Sequence, residues 1–153
     1  MPSVKNILSN GLHFNDRYIP DYEELRRVVE ALKGTGHKIS MTQGVYDLIH
    51  PGHTRYLAQA KERGDILVVA VDDDEYTRAR KQRANERRPV VPFEERLELL
   101  ANLRFVDILT RRSLTEHAAD PDFVIKLVQP DVLIMSHSTQ YVNAQKHEEL
   151  KGM

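Results

Sequence analysis

Six consecutive apolar residues, Ile66 to Val71, constrain the fold of this chain more than any other segment. A continuous apolar run of this kind is typical of a central strand in a parallel sheet, where both faces of the strand are covered. The run is far shorter than the roughly 20 apolar residues that a helix needs to cross a bilayer. The chain is therefore predicted to be an α/β protein built around this buried strand.

Helical and strand patterns alternate along the rest of the chain. The first predicted helix spans 21–33 and is capped by Asp21; its apolar residues recur at helical spacing and are Leu25, Val28, Val29 and Leu32. Further strands are predicted at 37–43, 106–109 and 131–135, and further helices at 52–63, from Pro92 onward, at 122–128 and at 141–151. Strands that alternate with helices form right-handed βαβ units and a parallel sheet. We expect residues 1–20 to be an irregular N-terminal arm and residues 21–153 to form a single domain.

The composition excludes several classes of protein. The 153 residues suit one domain with a core, and contents of 41% hydrophobic and 29% charged residues are ordinary for a globular protein. A net charge of −1 gives no basic field that would attract nucleic acid or an anionic membrane. The absence of cysteine excludes disulfides, thiolate metal sites and a cysteine nucleophile. The first residues are polar and show no signal peptide, so we expect a cytoplasmic protein without a nucleic-acid or membrane partner.

Three polar segments follow predicted strands. Residues 50–53 come after the first strand, 72–88 after the second and 136–139 after the last. Ligands of open parallel sheets bind beyond the carboxyl ends of the strands. We therefore expect these segments to meet at one edge of the sheet and to contain the ligand site.

Two histidines, His50 and His53, are the strongest candidates for chemistry in these segments. They lie on either side of Gly52, which permits close backbone approach, at the predicted start of a helix. A helix N-terminus offers N–H groups and a positive dipole end to an anion, and imidazole can donate a hydrogen bond to a phosphate oxygen. Two alternatives remain, namely a loop with incidental histidines and a metal pair, for which no third ligand is evident nearby. The pattern favours a phosphate site.

Residues 42–53 carry the sequence Thr-Gln-Gly-Val-Tyr-Asp-Leu-Ile-His-Pro-Gly-His. This run resembles the T-x-G-x-F/Y-D-x-x-H-x-G-H signature of the cytidylyltransferase-like nucleotidyltransferases. Further matches follow in the order of that family at Gly64-Asp65, Asp74, Lys81, Arg88-Pro89-Val90, Glu95-Arg96 and Val106-Asp107. The resemblance covers about residues 38–135 and is greatest to the branch that contains glycerol-3-phosphate cytidylyltransferase and the sugar-phosphate (heptose-phosphate) adenylyltransferases.

The resemblance implies a Rossmann-like three-layer sandwich with a central parallel sheet. It implies an enzyme that moves a nucleoside monophosphate, AMP or CMP, from the triphosphate to a phosphorylated small molecule such as a sugar or polyol phosphate, with release of pyrophosphate. We expect Mg²⁺ to be held chiefly by the nucleotide phosphates, and the resemblance implies a homodimer. The sequence Arg-Pro-Val-Val-Pro at 88–92 resembles the sugar-phosphate adenylyltransferase branch slightly more, but motifs this general do not decide between ATP and CTP or identify the acceptor.

The resemblance also implies roles for particular residues. The residues implied in phosphate contact and transition-state stabilisation are His50, His53, Lys81 and Arg96. The residues implied in nucleotide binding are Thr42, Gln43, Gly44, Val45, Tyr46, Gly52, Arg88, Ser136, Ser138 and Thr139. Asp47 and Asp74 are implied in acceptor binding or in ordering the loops of the site.

The residues themselves leave alternatives open at several of these positions. Lys81 belongs to a basic run, 78–83, and such runs are more often solvated surface. Arg96 could instead pair with an acidic residue of its own helix. The acidic run 72–74 could hold Mg²⁺, although such runs more often cap a helix or a turn. The segment 136–139 is also compatible with a simple polar turn.

One feature of the family is missing from the sequence. Its members carry a Ser/Thr-rich segment with a nearby basic residue close to the C-terminus, which contacts the triphosphate, and no such segment is recognisable here. The chain is then a shortened piece, or another segment or a second subunit completes the site, or the chain binds nucleotide and catalyses poorly. The alternative to an enzyme is therefore a non-catalytic nucleotide-binding or regulatory module on the same fold. A third interpretation is an oligomerisation domain with a vestigial site.

Overall fold

The computed structural model describes residues 3–9, 11, 13–81, 85–113 and 120–136 of the chain. Its helices are α1 (Val4–Leu8), α2 (Tyr22–Gly34), α3 (Pro51–Glu62), α4 (Asp74–Lys81), α5 (Phe93–Ala101) and α6 (Phe123–Val128), with a short 3-10 helix at Phe14–Asp16. Its strands are β1 (Ile39–Gly44), β2 (Ile66–Asp72), β3 (Ile108–Arg112) and β4 (Val132–Leu133). The predicted helix at 141–151 lies outside the described residues.

The strands form one sheet in the order β3-β2-β1-β4, and every pair is parallel. Strand β2 lies between β1 and β3 with all of its residues buried, as its apolar sequence predicts. One face of the sheet packs on α1, α2 and α6, through residues such as Leu25 and Val124. The other face packs on α3 and α5, through residues such as Leu57 and Leu97. The predicted three-layer α/β fold with a central parallel sheet is confirmed.

The sequence of α2 explains both its start and its burial. Asp21 caps the helix by accepting a hydrogen bond from the Glu24 amide at 2.7 Å. The apolar stripe predicted for this helix is the face that is buried against the sheet. None of the helices in the described part of the chain is long and apolar enough to span a membrane.

Two segments for which no helix was predicted contain helices. Residues 1–20 include α1 and the 3-10 helix, and Ile19 is fully buried beside β3, where its amide donates to the Leu109 carbonyl at 2.9 Å. The charged segment 72–88 includes α4, which Asp73 caps by accepting from the Tyr76 amide at 2.7 Å. Helices of five residues, such as α1, and of eight residues, such as α4, complete too few turns to give a clear apolar period.

The register of the sheet brings the strand ends together. Gly44 at the end of β1 pairs with Val71, and Asp72 at the end of β2 pairs with Arg112 at the end of β3. We call the region beyond these ends the carboxyl edge; it consists of residues 45–53, 72–81, 88–92, 112–113 and 134–136. The polar segments that were predicted to surround a ligand begin at this edge.

Gly64, between α3 and β2, lies where the structure leaves no room for a side chain. A Cβ atom at this position would lie 2.7 Å from the Ser40 amide nitrogen and 3.0 Å from the Lys38 carbonyl oxygen. Gly64→Ala is therefore expected to lower the free energy of unfolding by about 1–3 kcal/mol, because backbone atoms beside it must move. Urea unfolding measures the change.

The control for this prediction is Gly34→Ala at the end of α2. A Cβ atom at Gly34 meets nothing within 4 Å, so this variant is expected to be neutral or slightly stabilising. Equal stability of the two variants would contradict the prediction.

Candidate active site at the carboxyl edge

His50 and His53 lie side by side at the N-terminus of α3, with ring centroids 4.1 Å apart. The Gly52 amide donates to Nδ1 of His50 at 3.0 Å, and the His50 amide donates to Nδ1 of His53 at 3.3 Å. A ring nitrogen that accepts a hydrogen bond carries no proton, so the neutral form of each ring has its proton on Nε2. Each ring therefore carries an N–H donor at Nε2, while a backbone amide holds its Nδ1.

Gly52 is required for this arrangement of the histidines. A Cβ atom at position 52 would lie 2.6 Å from Cε1 and 2.8 Å from Nδ1 of His50. Pro51 precedes it as the first residue of α3, where the missing amide hydrogen of proline costs no helical hydrogen bond. The sequence Pro-Gly between the histidines thus starts the helix and lets the His50 ring lie against it.

Three hydroxyl groups form a hydrogen-bond chain next to the histidines. Tyr46, whose ring centroid is 5.7 Å from that of His53, places its Oη 3.4 Å from Oγ1 of Thr42. Oγ1 of Thr42 lies 2.7 Å from Oη of Tyr56, which donates to the Ile134 carbonyl at 3.1 Å. Since each hydroxyl has one hydrogen, donation runs from Tyr46 through Thr42 and Tyr56 to Ile134. Burial raises the pKa of both tyrosines, so both phenols stay neutral.

Asp47 connects the loop after β1 to the segment before α5. Its carboxylate oxygens accept hydrogen bonds from the amides of Val90 at 2.8 Å and Val91 at 2.9 Å, and the Arg88 guanidinium lies 3.6 Å away. Burial alone would raise the pKa of Asp47, but the two amides and the charges of Arg96 and Arg88 hold it below its usual value. Asp47 therefore orders the loop after β1 by binding it to the segment before α5.

Arg96 is completely buried and is the largest of the fully buried side chains among the described residues. Its guanidinium donates to the carbonyls of Val45 at 2.6 Å, Asp72 at 2.8 Å and Val91 at 2.9 Å. A fourth bond runs to the Asp74 carboxylate at 2.7 Å, on α4 and not on the helix of Arg96 itself. The structure thus places Arg96 inside the protein, where it joins the loop after β1, the junction of β2 and α4, and the segment before α5.

The end of β1 contributes three of the predicted nucleotide-binding residues. A Cβ atom at Gly44 would lie 3.2 Å from the Tyr46 ring, so this position is tightly packed. The side chain of Val45 is buried, and its carbonyl accepts from Arg96. Oε1 of Gln43 is buried and has no hydrogen-bond partner among the described residues, so it can accept a hydrogen bond from a ligand.

The other predicted positions lie around the rim or outside the described part of the chain. Arg88 is half-exposed, and its guanidinium lies 3.6 Å from the carboxylate of Asp47 and 3.6 Å from that of Glu86. Ser136 follows β4 at the same edge. Lys81 is the last residue of α4, but its side chain lies outside the described part, as do Ser138 and Thr139.

Sequence reasoning missed a second group of polar side chains at this edge. Asp72 is buried at the end of β2 and contacts Arg112 and Arg80, which both lie near the ring of Tyr76. Strand register brings this group together, since Asp72 pairs with Arg112. A charged residue at the end of each of two adjacent apolar strands is the signal that could have found it.

No three histidine, aspartate or glutamate side chains come together as a metal site within the described residues. The interpretation of His50 and His53 as a metal pair therefore gains no third ligand in that part of the chain.

Comparison with known proteins identifies the family. The model of the cytidylyltransferase-like family matches residues 41–153. Bifunctional protein HldE of Pasteurella multocida (strain Pm70) is 40% identical over 130 residues, which are 83% of this chain and 26% of that protein. Bifunctional protein HldE of Salmonella paratyphi A (strain ATCC 9150 / SARB42) is 41% identical over 112 residues, which are 73% of this chain and 22% of that protein. The chain spans about a quarter of the length of these curated relatives.

A solved structure shows the same architecture. The lipopolysaccharide core biosynthesis protein from Thermoplasma volcanium GSS1 is similar with a TM-score of 0.64 and 28% identity, over 76% of this chain and 88% of that one. Together with the signature at 42–53, these similarities show that the chain belongs to the cytidylyltransferase-like family of nucleotidyltransferases.

Proposed function

We propose that this domain transfers AMP from ATP to a sugar phosphate and releases pyrophosphate. The observation that carries the proposal is the histidine pair at the start of α3, where backbone amides occupy both Nδ1 atoms. The similarity to HldE proteins and to a lipopolysaccharide core biosynthesis protein supports a sugar phosphate as the acceptor. The resemblance to the sugar-phosphate adenylyltransferase branch supports ATP as the donor.

His50 and His53 serve in this reaction as fixed hydrogen-bond donors. Their Nε2–H groups, together with the positive end of the α3 dipole, stabilise the negative charge that develops on the phosphate oxygens. Because backbone amides already hold both rings, the donors need little rearrangement when the substrate arrives.

The transfer needs no covalent enzyme intermediate. An oxygen of the acceptor phosphate attacks the α-phosphorus of ATP in line and forms the new P–O bond. The bond from the α-phosphorus to the bridging oxygen breaks, and pyrophosphate leaves with the electron pair.

Mg²⁺ neutralises phosphate charge in reactions of this kind, and we propose that the nucleotide carries it to the site. The acidic residues of the run 72–74 have other partners. Asp72 pairs with Arg112, Asp73 caps α4 and Asp74 pairs with Arg96. These contacts favour the capping and pairing interpretation of the run over a magnesium site.

His50→Ala and His53→Ala are each expected to lower kcat at least about 100-fold, since loss of one aimed donor typically costs about 3–4 kcal/mol. The fold is expected to survive, because the lost helix cap is worth only about 1 kcal/mol. Pyrophosphate release measures kcat, and thermal unfolding reports the fold. His37→Ala, before the opposite end of β1, is the control with unchanged turnover. A folded His50→Ala protein with near-normal kcat would contradict the proposed role.

Gly52→Ala is expected to lower kcat about as much as His50→Ala, although it removes no functional group. The added methyl group occupies the place of the His50 ring and displaces it from the amide. Stability is expected to change little, because alanine is a better helix former than glycine and the ring can rotate outward. Steady-state kinetics test this expectation, with Gly34→Ala as the matched glycine control; full activity of Gly52→Ala would show that the ring position is unimportant.

The experiment that tests the proposed function crosses ATP, CTP, GTP and UTP with a set of sugar phosphates and polyol phosphates, in the presence of Mg²⁺. Pyrophosphate release that requires ATP and a sugar phosphate is the expected result. Release that requires CTP and a polyol phosphate would replace the adenylyl proposal by a cytidylyl one. Nucleotide binding by thermal shift without pyrophosphate release, whatever the acceptor, would favour a non-catalytic nucleotide-binding module.

A further inference from the structure

The cluster around Asp72, which we call the Asp72 cluster, consists of Asp72, Tyr76, Arg80 and Arg112. The carboxylate of Asp72 has 0% exposure and accepts a hydrogen bond from Nε of Arg112 at 2.6 Å. Its second oxygen accepts a hydrogen bond from a terminal nitrogen of Arg80 at 3.2 Å. The guanidinium carbons of Arg112 and Arg80 lie 4.5 and 5.4 Å from the centroid of the buried Tyr76 ring. Four contacts therefore fix the two guanidinium groups around one carboxylate and one ring.

The Asp72 cluster holds more positive than negative charge. Arg112, with 5% exposure and the shorter contact, already balances the buried carboxylate. Arg80 is the surplus cation, and its side chain is 33% exposed. Within the described part of the chain it donates one hydrogen bond, to Asp72, out of the five N–H groups of a guanidinium. Arg80 thus presents donors to solvent from a position that a buried carboxylate fixes.

Arg96 connects the backbone of the Asp72 cluster to the loop that leads to the histidines. One terminal nitrogen of Arg96 donates both to the Asp72 carbonyl and to the Val45 carbonyl. Val45 precedes Tyr46, whose ring faces that of His53 at 5.7 Å. The cluster therefore belongs to the same edge as the proposed phosphate site.

The two halves of the carboxyl edge, which follow the strand order β3-β2-β1-β4, differ in chemistry. The hydroxyl chain and the Gln43 oxygen, which has no hydrogen-bond partner within the described part of the chain, lie toward β1 and β4, whereas the Asp72 cluster lies at the ends of β2 and β3. In-line transfer requires the attacking and leaving groups to lie on opposite sides of the α-phosphorus. A cationic position on the β2–β3 side suits the phosphate of the incoming acceptor.

We propose that Arg80 binds the phosphate of the acceptor, and that Asp72 and Arg112 are positioning residues that hold its guanidinium. The proposal rests on the nucleotidyl transfer proposed above. Guanidinium is suited to this task, because its planar fork makes two parallel hydrogen bonds to one phosphate group. The hydrogen bond to Asp72 orients the Arg80 guanidinium before the substrate arrives, which reduces the conformational entropy lost on binding.

Kinetics of Arg80→Gln, Arg80→Lys and the matched control Arg78→Gln test the proposal. Arg78 is exposed on the same helix, so its replacement removes the same charge outside the Asp72 cluster. Arg80→Gln is expected to raise the KM for the acceptor about 10–100-fold with the KM for ATP within about twofold, as expected for loss of charge-assisted hydrogen bonds. Arg80→Lys keeps the charge but not the fork, and an intermediate KM is expected. Arg78→Gln is expected to leave both constants within about twofold.

A binding measurement keeps this test separate from the proposed function. Inorganic phosphate binding to the full chain is followed by ³¹P line broadening, and ATP binding by thermal shift. Arg80→Gln is expected to weaken phosphate binding about 10-fold and to leave ATP binding unchanged. If the unmodified chain releases no pyrophosphate but Arg80→Gln still weakens phosphate binding, the Arg80 site stands and the proposed function fails.

Three outcomes would overturn the assignment of Arg80. Unchanged phosphate binding together with an unchanged acceptor KM would remove Arg80 from the site. A rise in the KM for ATP alone would place Arg80 on the triphosphate and not on the acceptor. An equal effect of Arg78→Gln would show that only the general charge of α4 matters.

Discussion

The carboxyl edge depends on one buried guanidinium group, that of Arg96. Moving a cation out of water is unfavourable unless its N–H groups find acceptors, and here three carbonyls and one carboxylate supply them. The carbonyls are those of Val45 after β1, Asp72 at the end of β2 and Val91 before α5, which are far apart in the sequence. Arg96 therefore fixes the relative positions of the loop that leads to the histidines, the segment that Asp47 orders and the start of α4. Its removal would leave four acceptors without their donor at once, and truncating such a buried partner is far more costly than forming the pair is favourable.

The carboxyl edge contains two kinds of hydrogen-bond donor, the neutral histidines and the charged arginines. Both histidines accept a backbone N–H at Nδ1, so they can present Nε2–H without being protonated. The permanent positive charge lies in arginines, of which Arg96 is buried, Arg112 nearly so and Arg80 partly exposed. Buried carboxylates accompany them at Asp72 and Asp47, so that little uncompensated charge remains inside the protein. A polyanionic substrate then meets a few fixed donors and not a broad basic surface, in agreement with a net charge of −1 for the chain.

The central features of the fold could be predicted because they rest on local pattern. The apolar run of β2 and the helical stripe of α2 require burial wherever they occur, and both are buried as expected. Helix α4 was missed because most of its residues are charged or polar, and Tyr76 and Thr77 are its two buried side chains among those described. The order of the motif residues located the edge, but motif order cannot tell whether a side chain points toward a substrate or into the protein. Arg96 illustrates this, since its guanidinium reaches the loop after β1 and the β2–α4 junction, which sequence spacing does not bring to it. The Asp72 cluster was missed for a related reason: the charged residues that end β2 and β3 are a sequence signal, but their pairing depends on the register between the two strands.

The direction of the hydroxyl chain beside the histidines has a further consequence. Each of the three hydroxyls donates to the next, and the last hydrogen is committed to the carbonyl of Ile134. Neither Thr42 nor Tyr56 can turn around alone, because a reversed O–H of either would place two hydrogens in one contact of the chain and none in the other. The carbonyl of Ile134, just after β4, therefore fixes the donor direction of Tyr56 and Thr42 and leaves Oγ1 of Thr42 as the acceptor for Tyr46, whose ring lies beside His53. Strand β4 has only two residues and lies at one edge of the sheet. The backbone that follows it nevertheless contributes to the electrostatic environment of the histidines, through the chain of hydroxyl groups.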